Sequence, residues 1–564
     1  MRSKLRKVPR MTSFKELLEH SVSHHGEKDG FKELGPQGEI ITRSFANLAR
    51  DVEAFGTALI DVGIAGKHTA LISEGSYSFI VAYLAVVTSG GVIVPMDKEL
   101  STDEMIMLTR KCDAEVLFYG DVIAHEVPAF LEDCPRLEYL ISIDAYRNTG
   151  APMNFTTMVQ AGRNLLAEGD TRWRQVPDRS DEMSTILFTS GTTGPNKGVM
   201  LTPHNILTTA WAGLSMHEYP DRAISVLPMN HAYEFNLHVI GAIQQGITLC
   251  INDSILHVQQ NLRVFEPKMS LMVPMIVTAL YKNIWKQAEQ DELAKHLRWG
   301  VWVSGALRRF GLDFRWIYFK PIHERLGGLR FIVSGGAPLS AEVVKGMDAV
   351  GISVYNGYGI TECSPLVAVN TVAKSVPGSA GLCCPGCEVR IDNPDEDGIG
   401  EILVRGDNVM LGYYKDPEAT AETFTDDGWF KTGDFGWKRS DGVLFVTGRK
   451  KNLIILPNGK NVQPEEIEEV IADRCEYVRE LLVYQHTDAD GHECIALRAY
   501  VDPVLVHEIG RDAADAKLRS DVYRINSTLT SYKRVVSIEL LEVEFEKTST
   551  RKIKRNNGGA GTPC

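Results

Sequence analysis

Residues 187–200 read LFTSGTTGPNKGVM: three glycines, a proline, four hydroxyl side chains and one lysine between apolar flanks. Glycine lets the backbone enter φ > 0 and turn successive N–H groups toward one point, forming a nest for an anion. Thr189, Ser190, Thr192 and Thr193 add hydroxyl donors, and Lys197 adds a mobile positive charge. That is the chemistry of a phosphate cradle. It is not a Walker loop, because Asn196 precedes Lys197 and Gly198, rather than Ser or Thr, follows it. A kinase or GTPase of that type is disfavoured, and a plain surface hairpin stays open on the loop alone.

Four later stretches narrow the choice: YGITE (358–362), GWFKTGDFG (428–436), GRKKNLIILPNGKNVQPEEIE (448–468) and EKTSTRKIKR (546–555). With TSGTTGPNKG, in this order, they resemble the adenylate-forming (AMP-binding) superfamily over about residues 11–555. FKPIHERLGGLRFIVSGGAPLS (319–340), GDFGWKRSDG and GRKKNLIIL are most similar to long-chain fatty acyl-CoA synthetases. The resemblance implies a two-step ligase: a carboxylate attacks the α-phosphorus of Mg-ATP, and the acyl-adenylate then passes to the thiol of coenzyme A. Such chemistry depends on positioning and on neutralising charge.

The resemblance also implies roles for particular residues. Thr189, Ser190, Gly191, Thr192, Thr193, Gly194 and Lys197 would close over the β- and γ-phosphates. Gly335, Gly336 and Ala337 would press against the base. Tyr358 would stack on adenine beside Gly359, Thr361 would bond the α-phosphate, and Glu362 would hold Mg²⁺, a cation that takes few carboxylates and several waters. Asp434 would grip the ribose hydroxyls with Arg449. Lys552 would neutralise the reacting carboxylate and α-phosphate. It follows Arg551, where much of the family has Gly, a departure that resembles the fatty acyl branch. Lys451 would be the hinge of a rotating terminal domain, and Gly459 would leave room for a pantetheine arm. In PMNHAYEFNLHVIGAI (228–243), His231 matches an aromatic gate position, and Phe235, Leu237, Val239 and Ile240, with Gly241 as a small spacer, suit an apolar acyl chain.

HTALISE, GVIVPMD and AEVLFYGD are short apolar strands between helix-like runs such as ARDVEAFGTALIDVG. That alternation predicts an α/β fold with mostly parallel sheets. The resulting expectation is a large domain, 1–449, with two parallel-sheet α/β subdomains and a small antiparallel β-barrel over about 377–449. A small mobile α+β domain would follow at 450–564. The apolar run 79–96 is interrupted by Ser89-Gly90-Gly91 and reads as a buried helix, a turn and a strand rather than a membrane span.

Composition bounds the rest. The chain has 564 residues, 44% hydrophobic and 24% charged, with a formal charge of −13. A soluble multi-domain protein is expected, with no nucleic-acid partner. Ten cysteines are too sparse for a disulfide framework, so a cytoplasmic location is expected. The start, MRSKLRKVPR, carries five basic residues and no acid, which suits either a disordered tail or peripheral contact with anionic lipid. Met11 is an alternative start. The Cys384-x-x-Cys387 pair lacks the second pair that a zinc site needs. Two other readings stay open: transfer of the acyl group to an acyl carrier protein, and a nucleotide-binding regulatory protein without turnover.

Overall fold

A computed structural model describes residues 6–144, 153–189, 196–455, 461–487 and 493–547, together with Ile553 and Arg555. The chain divides into two compact units. The first comprises Met1–Thr189, Lys197–Val389 and Val404–Phe430, and the second Ser190–Asn196, Arg390–Leu403 and Lys431–Cys564. The architecture is α/β, as the alternation of apolar strands and helical runs predicts.

The first unit holds two large sheets. In one, the strands Val92–Met96, His68–Ile72, Val116–Tyr119 and Tyr139–Ser142 lie side by side and parallel. Val92–Met96 is buried at every position and His68–Ile72 at all but its first, as expected for strands covered on both faces. Parallel neighbours need crossovers, and the 77–96 segment supplies one. It forms the helix Tyr77–Thr88, a turn with Gly90 at φ 79°, and the strand Val92–Met96. Ser76 caps that helix by accepting from the Phe79 N–H. The same sheet continues through Thr185–Thr189, which pairs antiparallel with Lys197–Leu201.

The other sheet sets the parallel strands Thr248–Ile251, Arg222–Ser225, Met269–Met272, Phe331–Ser334 and Ser353–Gly359 in that order. The antiparallel strand Leu366–Val369 follows on the far side of Ser353–Gly359. Residues 6–10 are held against this unit. The Arg6 N–H donates to the Ser215 carbonyl, Trp211 Nε1 donates to the Val8 carbonyl, and Arg10 pairs with Asp407. Among the described residues, no helix is long and apolar enough to cross a membrane.

The second unit contains the hairpin Phe430–Lys438 and Val443–Arg449, in which Asp434 stands opposite Arg449. It also contains the sheet of Val478–Thr487, Glu493–Val501 and Val535–Leu541, packed by the helices Pro464–Arg474 and Arg511–Asn526. Ile467, Ile471, Leu497, Leu518 and Val522 are fully buried at its centre. These contacts give the C-terminal region a core of its own.

Candidate functional site

Ligands of open α/β sheets bind outside the carboxyl ends of the strands. In the first unit, two adjacent parallel strands end in the expected nucleotide-binding residues. Phe331–Ser334 runs into Gly335, Gly336 and Ala337, and Ser353–Gly359 carries Tyr358 and Gly359 and leads to the turn Thr361–Cys363. Gly335 is buried, and a Cβ there would lie 3.1 Å from the Tyr233 ring, while Gly336 sits at φ 90° and is exposed. At Gly359 a Cβ would fall 2.0 Å from the Pro365 carbonyl oxygen, so no other residue fits that backbone. Tyr358 and Thr361 are half-buried.

Glu362 is also half-buried, and its Oε1 accepts a 3.0 Å hydrogen bond from the Tyr413 hydroxyl. The Met410 N–H bonds the Glu362 carbonyl at 2.9 Å. On the Tyr413 ring, 4.6 Å from its centroid, rests Lys197 Nζ. Burial, and next the Glu362 carboxylate, push the Tyr413 phenol up from its ordinary value, so the hydroxyl stays a donor. Thr189 pairs in register with Lys197, and its hydroxyl reaches the Lys197 carbonyl at 3.5 Å. The fold therefore brings Lys197 and Glu362 together through Tyr413, which the sequence reading did not single out. An aromatic residue 51 positions from its partner leaves no local signal. Ser190, Gly191, Thr192, Thr193 and Gly194 lie outside the described residues.

In the second unit, Asp434 is 4% exposed and its Oδ1 stands 3.2 Å from Arg449 Nε. The Asp434 N–H donates to the Thr432 hydroxyl, which donates in turn to the Ile402 carbonyl at 2.7 Å. A buried carboxylate beside a half-exposed guanidinium is suited to hold paired hydroxyls. Lys451 is exposed in the short turn Lys450–Asn452, whose Lys450 pairs with Glu401 at 2.7 Å. Gly459 and Lys552 lie outside the described residues. Beyond Lys552 in the chain, Arg555 pairs with Glu468 and donates to the Val483 carbonyl at 3.3 Å.

The segment 233–239 is a wide π-type turn continuous with the helix Ile240–Gln245. One face of it lines an apolar cavity with Leu237, His238 and Gly241. Gly213 and Leu214 from the helix Pro203–Met216, and Val333 from the sheet, close the walls. The cavity is narrow, and part of it opens to solvent. Phe235 turns the other way: it is buried with its ring centroid 3.9 Å from that of Tyr83, so it fills core. Val239 is likewise fully buried and His231 is half-buried, and neither lines this cavity. His238 Nδ1 and Glu234 Oε1 are 2.8 Å apart and both side chains are buried, a polar pair at helical i,i+4 spacing that the reading of 228–243 missed.

Cys384 and Cys387 do not form the close pair of the CCPGC segment; Cys383 and Cys387 do, with sulfurs 3.4 Å apart and all three free. The hydrogen bond to Cys383, followed by burial, raises the Cys387 thiol. Among the described residues, no group of three or more His, Cys, Asp or Glu side chains converges as a metal cage.

Glycine-bearing carboxyl ends of adjacent parallel strands and a lysine–tyrosine–glutamate contact are features of a nucleotide-handling α/β protein. The comparisons specify which. The family model for the AMP-binding enzyme matches residues 18–414, and the chain belongs to that family. It is 28% identical to the long-chain-fatty-acid–CoA ligase FadD15 of Mycobacterium bovis, over 90% of this chain and 89% of that protein. It is 27% identical to the chloroplastic long-chain-fatty-acid–[acyl-carrier-protein] ligase AEE15 of Arabidopsis thaliana, over 78% and 70%. Among solved structures, the fold is similar to the anthranilate CoA ligase AuaEII in complex with anthranoyl-AMP. The TM-score is 0.75 at 20% identity, covering 97% of this chain and 96% of that one.

Proposed function

We propose that the protein is an AMP-forming ligase that activates a long-chain fatty acid and delivers it to coenzyme A. The observation that carries this reading is the contact of Lys197 and Glu362 through Tyr413, at the carboxyl end of the strand bearing Tyr358. It joins a cation suited to a leaving polyphosphate with a carboxylate suited to a phosphate-borne cation. Relatives named as fatty-acid ligases over 78–90% of the chain support the substrate class.

In the first half-reaction a fatty carboxylate oxygen bonds the α-phosphorus of ATP, and the bond to the bridging oxygen of pyrophosphate breaks. Lys197 offsets charge on the departing pyrophosphate, and the glycine-rich loop donates hydrogen bonds to it. Gly335, Gly336 and Ala337 give the base a wall without bulky side chains, and Tyr358 gives it a ring to stack on. Asp434 and Arg449 hold the ribose, and Lys552 neutralises the carboxylate as it approaches the phosphate. In the second half-reaction the coenzyme A sulfur bonds the acyl carbon, its proton goes to solvent, and AMP leaves. Lys451 serves as the hinge, and Gly459 gives the pantetheine arm passage.

Mg²⁺ bound with the nucleotide would neutralise phosphate charge. Glu362 fits it: one oxygen is held by Tyr413, and a lone carboxylate suits an ion that keeps several waters. A cytoplasmic site of action fits the sparse cysteines, all free where the structure describes them.

A second reading, delivery to an acyl carrier protein, is favoured by the relationship to AEE15. Pyrophosphate release from Mg-ATP with acids from acetate to long-chain, each with and without coenzyme A, separates the two. Release that peaks with long-chain acids and rises with coenzyme A is expected. Release indifferent to coenzyme A would favour the carrier protein, and none with any acid would overturn the ligase reading. Lys552→Ala should stop adenylate formation while sparing thioester formation from supplied acyl-adenylate.

A further inference from the structure

The segment CCPGC (383–387) joins the strand Gly381–Cys383 to the strand Cys387–Asp392. Pro385 has a fixed φ, and Gly386 stands at φ 88°, a conformation that favours glycine, so the chain turns back within three residues. The turn brings together side chains four positions apart: the Cys383 and Cys387 sulfurs are 3.4 Å from each other. Both residues are half-buried, within reach of a small solute, whereas the neighbouring Cys384 is buried. A disulfide between them needs only a contraction to about 2.05 Å.

The register of the sheet links this thiol pair to the nucleotide-binding strand. Cys383 lies opposite Ala368 on the next strand, and Ala368 lies opposite Tyr358 on the one after. Residues opposite one another in antiparallel strands share a face, so Cys383 and Tyr358 stand on one side of the sheet, about 10 Å apart at the spacing of two strands. The turn is tied to the middle strand, Leu366–Val369, at two further points. The Cys384 N–H donates to the Val367 carbonyl at 2.9 Å, and the Cys387 sulfur lies 3.4 Å from the same carbonyl oxygen. Closing a disulfide draws the sulfurs together by more than about 1 Å, and the row that ends at Tyr358 moves with them.

We propose that Cys383 and Cys387 form a reversible dithiol–disulfide couple, oxidised by low-molecular-weight disulfides, whose closure weakens ATP binding at Tyr358. The effect on ATP rests on the ligase reading, in which Tyr358 stacks on adenine; formation of the disulfide does not. Cys383 loses its proton to solvent, bonds one sulfur of the small disulfide and expels the other as a thiolate. Cys387 then loses its proton and bonds the Cys383 sulfur, expelling the second small thiolate. Each expelled thiolate takes up a proton, so two protein thiols are oxidised and one small disulfide is reduced to two thiols. The hydrogen bond to Cys383 keeps the proton on Cys387, which leaves Cys383 as the attacking group.

The test equilibrates the full-length protein with glutathione disulfide, and a second sample afterwards with excess glutathione. Each is denatured, blocked with N-ethylmaleimide and digested with trypsin. Cleavage after Lys374 and Arg390 leaves Cys383, Cys384 and Cys387 in one peptide. Oxidised protein should give that peptide with a single label, on Cys384, and with two hydrogens fewer at the other two cysteines; glutathione should restore three labels. Cys383→Ser and Cys387→Ser should each abolish the singly labelled, linked peptide. Cys494→Ser, half-buried in the second unit, should leave it intact. Isothermal titration should show ATP affinity about fivefold or more lower in the oxidised protein, a difference that Cys383→Ser removes. Three labels after glutathione disulfide, glutathione retained on Cys383 beside a labelled Cys387, or a bond to Cys384 would overturn the proposal. So would equal ATP affinity in the oxidised and reduced forms. ATP bound by neither form would count against the ligase reading instead, and the label count stands without it.

Discussion

The Tyr413 hydroxyl donates to Glu362 Oε1 at 3.0 Å while Lys197 Nζ lies 4.6 Å from the centre of the same ring. One phenol thus sets the position of both the carboxylate assigned to Mg²⁺ and the lysine assigned to pyrophosphate. A hydrogen bond to a charged group contributes about 1.5–3 kcal/mol. Tyr413→Phe keeps the ring under Lys197 and frees Glu362. It should lower kcat roughly ten- to a hundredfold and raise the Mg²⁺ concentration needed for half-maximal rate. Tyr413→Ala, which also removes the ring, should weaken ATP binding as well. A Phe variant with unaltered Mg²⁺ dependence would detach Tyr413 from the metal site.

Gly359 offers a sharper structural test, since an added Cβ would lie 2.0 Å from the Pro365 carbonyl oxygen. Backbone cannot yield as a flexible side chain can, so Gly359→Ala must displace either this strand end or the 364–366 loop. A cost of several kcal/mol is expected. ATP affinity should fall further than in Gly336→Ala. The latter residue is exposed, and its Cβ would meet only the Val273 side chain at 3.9 Å, although φ 90° still strains it. Isothermal titration with ATP, beside a thermal scan, compares the two. Equal affinity in both variants would contradict a special role for the Gly359 strand end.

What the sequence discloses and what it conceals divide along physical lines. The 77–96 helix, turn and strand follow from a local pattern, because Ser89-Gly90-Gly91 punctuates an apolar run. The Asp434–Arg449 contact was legible because each residue stands in a motif, and the hairpin sets them opposite one another. Tyr413 was not, because its meaning arises from packing against two residues distant in sequence. The direction of the Phe235 side chain was hidden for a related reason. Its apolar type groups it with Leu237 and Gly241, but the π-type turn sends its ring onto Tyr83, while Leu237 and Gly241 line the apolar cavity.

That placement predicts how chain length is set. Gly241 borders the cavity, and a Cβ there would meet Leu214 at an ordinary 3.7 Å, so small additions are accommodated. Gly241→Ala should leave turnover of all acids close to wild type. Gly241→Phe should fill the cavity and lower kcat/KM for long-chain acids about a hundredfold or more, with short-chain acids little affected. Rates across acids from C4 to C18 check this. Uniform loss at all lengths would mean that the acyl chain lies elsewhere.

In the second unit, Glu468 accepts from the Val483 N–H at 2.7 Å and pairs with Arg555. Burial raises its carboxyl from 4.5 to about 7, against the opposing pull of Arg555. Because the folded value lies above the unfolded one, the folded unit binds more protons between those two values. The associated stability is present in full below about 4.5 and is lost as pH rises through about 7, by a total on the order of 3 kcal/mol. Hydrogen exchange of the Val478–Thr487 amides, corrected for intrinsic rates, should therefore show weaker protection at pH 8 than at pH 5. Glu468→Gln cannot ionise and should flatten that profile. The ion pair acts in the opposite sense, so Arg555→Gln should push the carboxyl higher and extend the loss to more alkaline pH. A profile that Glu468→Gln leaves intact would assign the pH dependence to other groups in the unit.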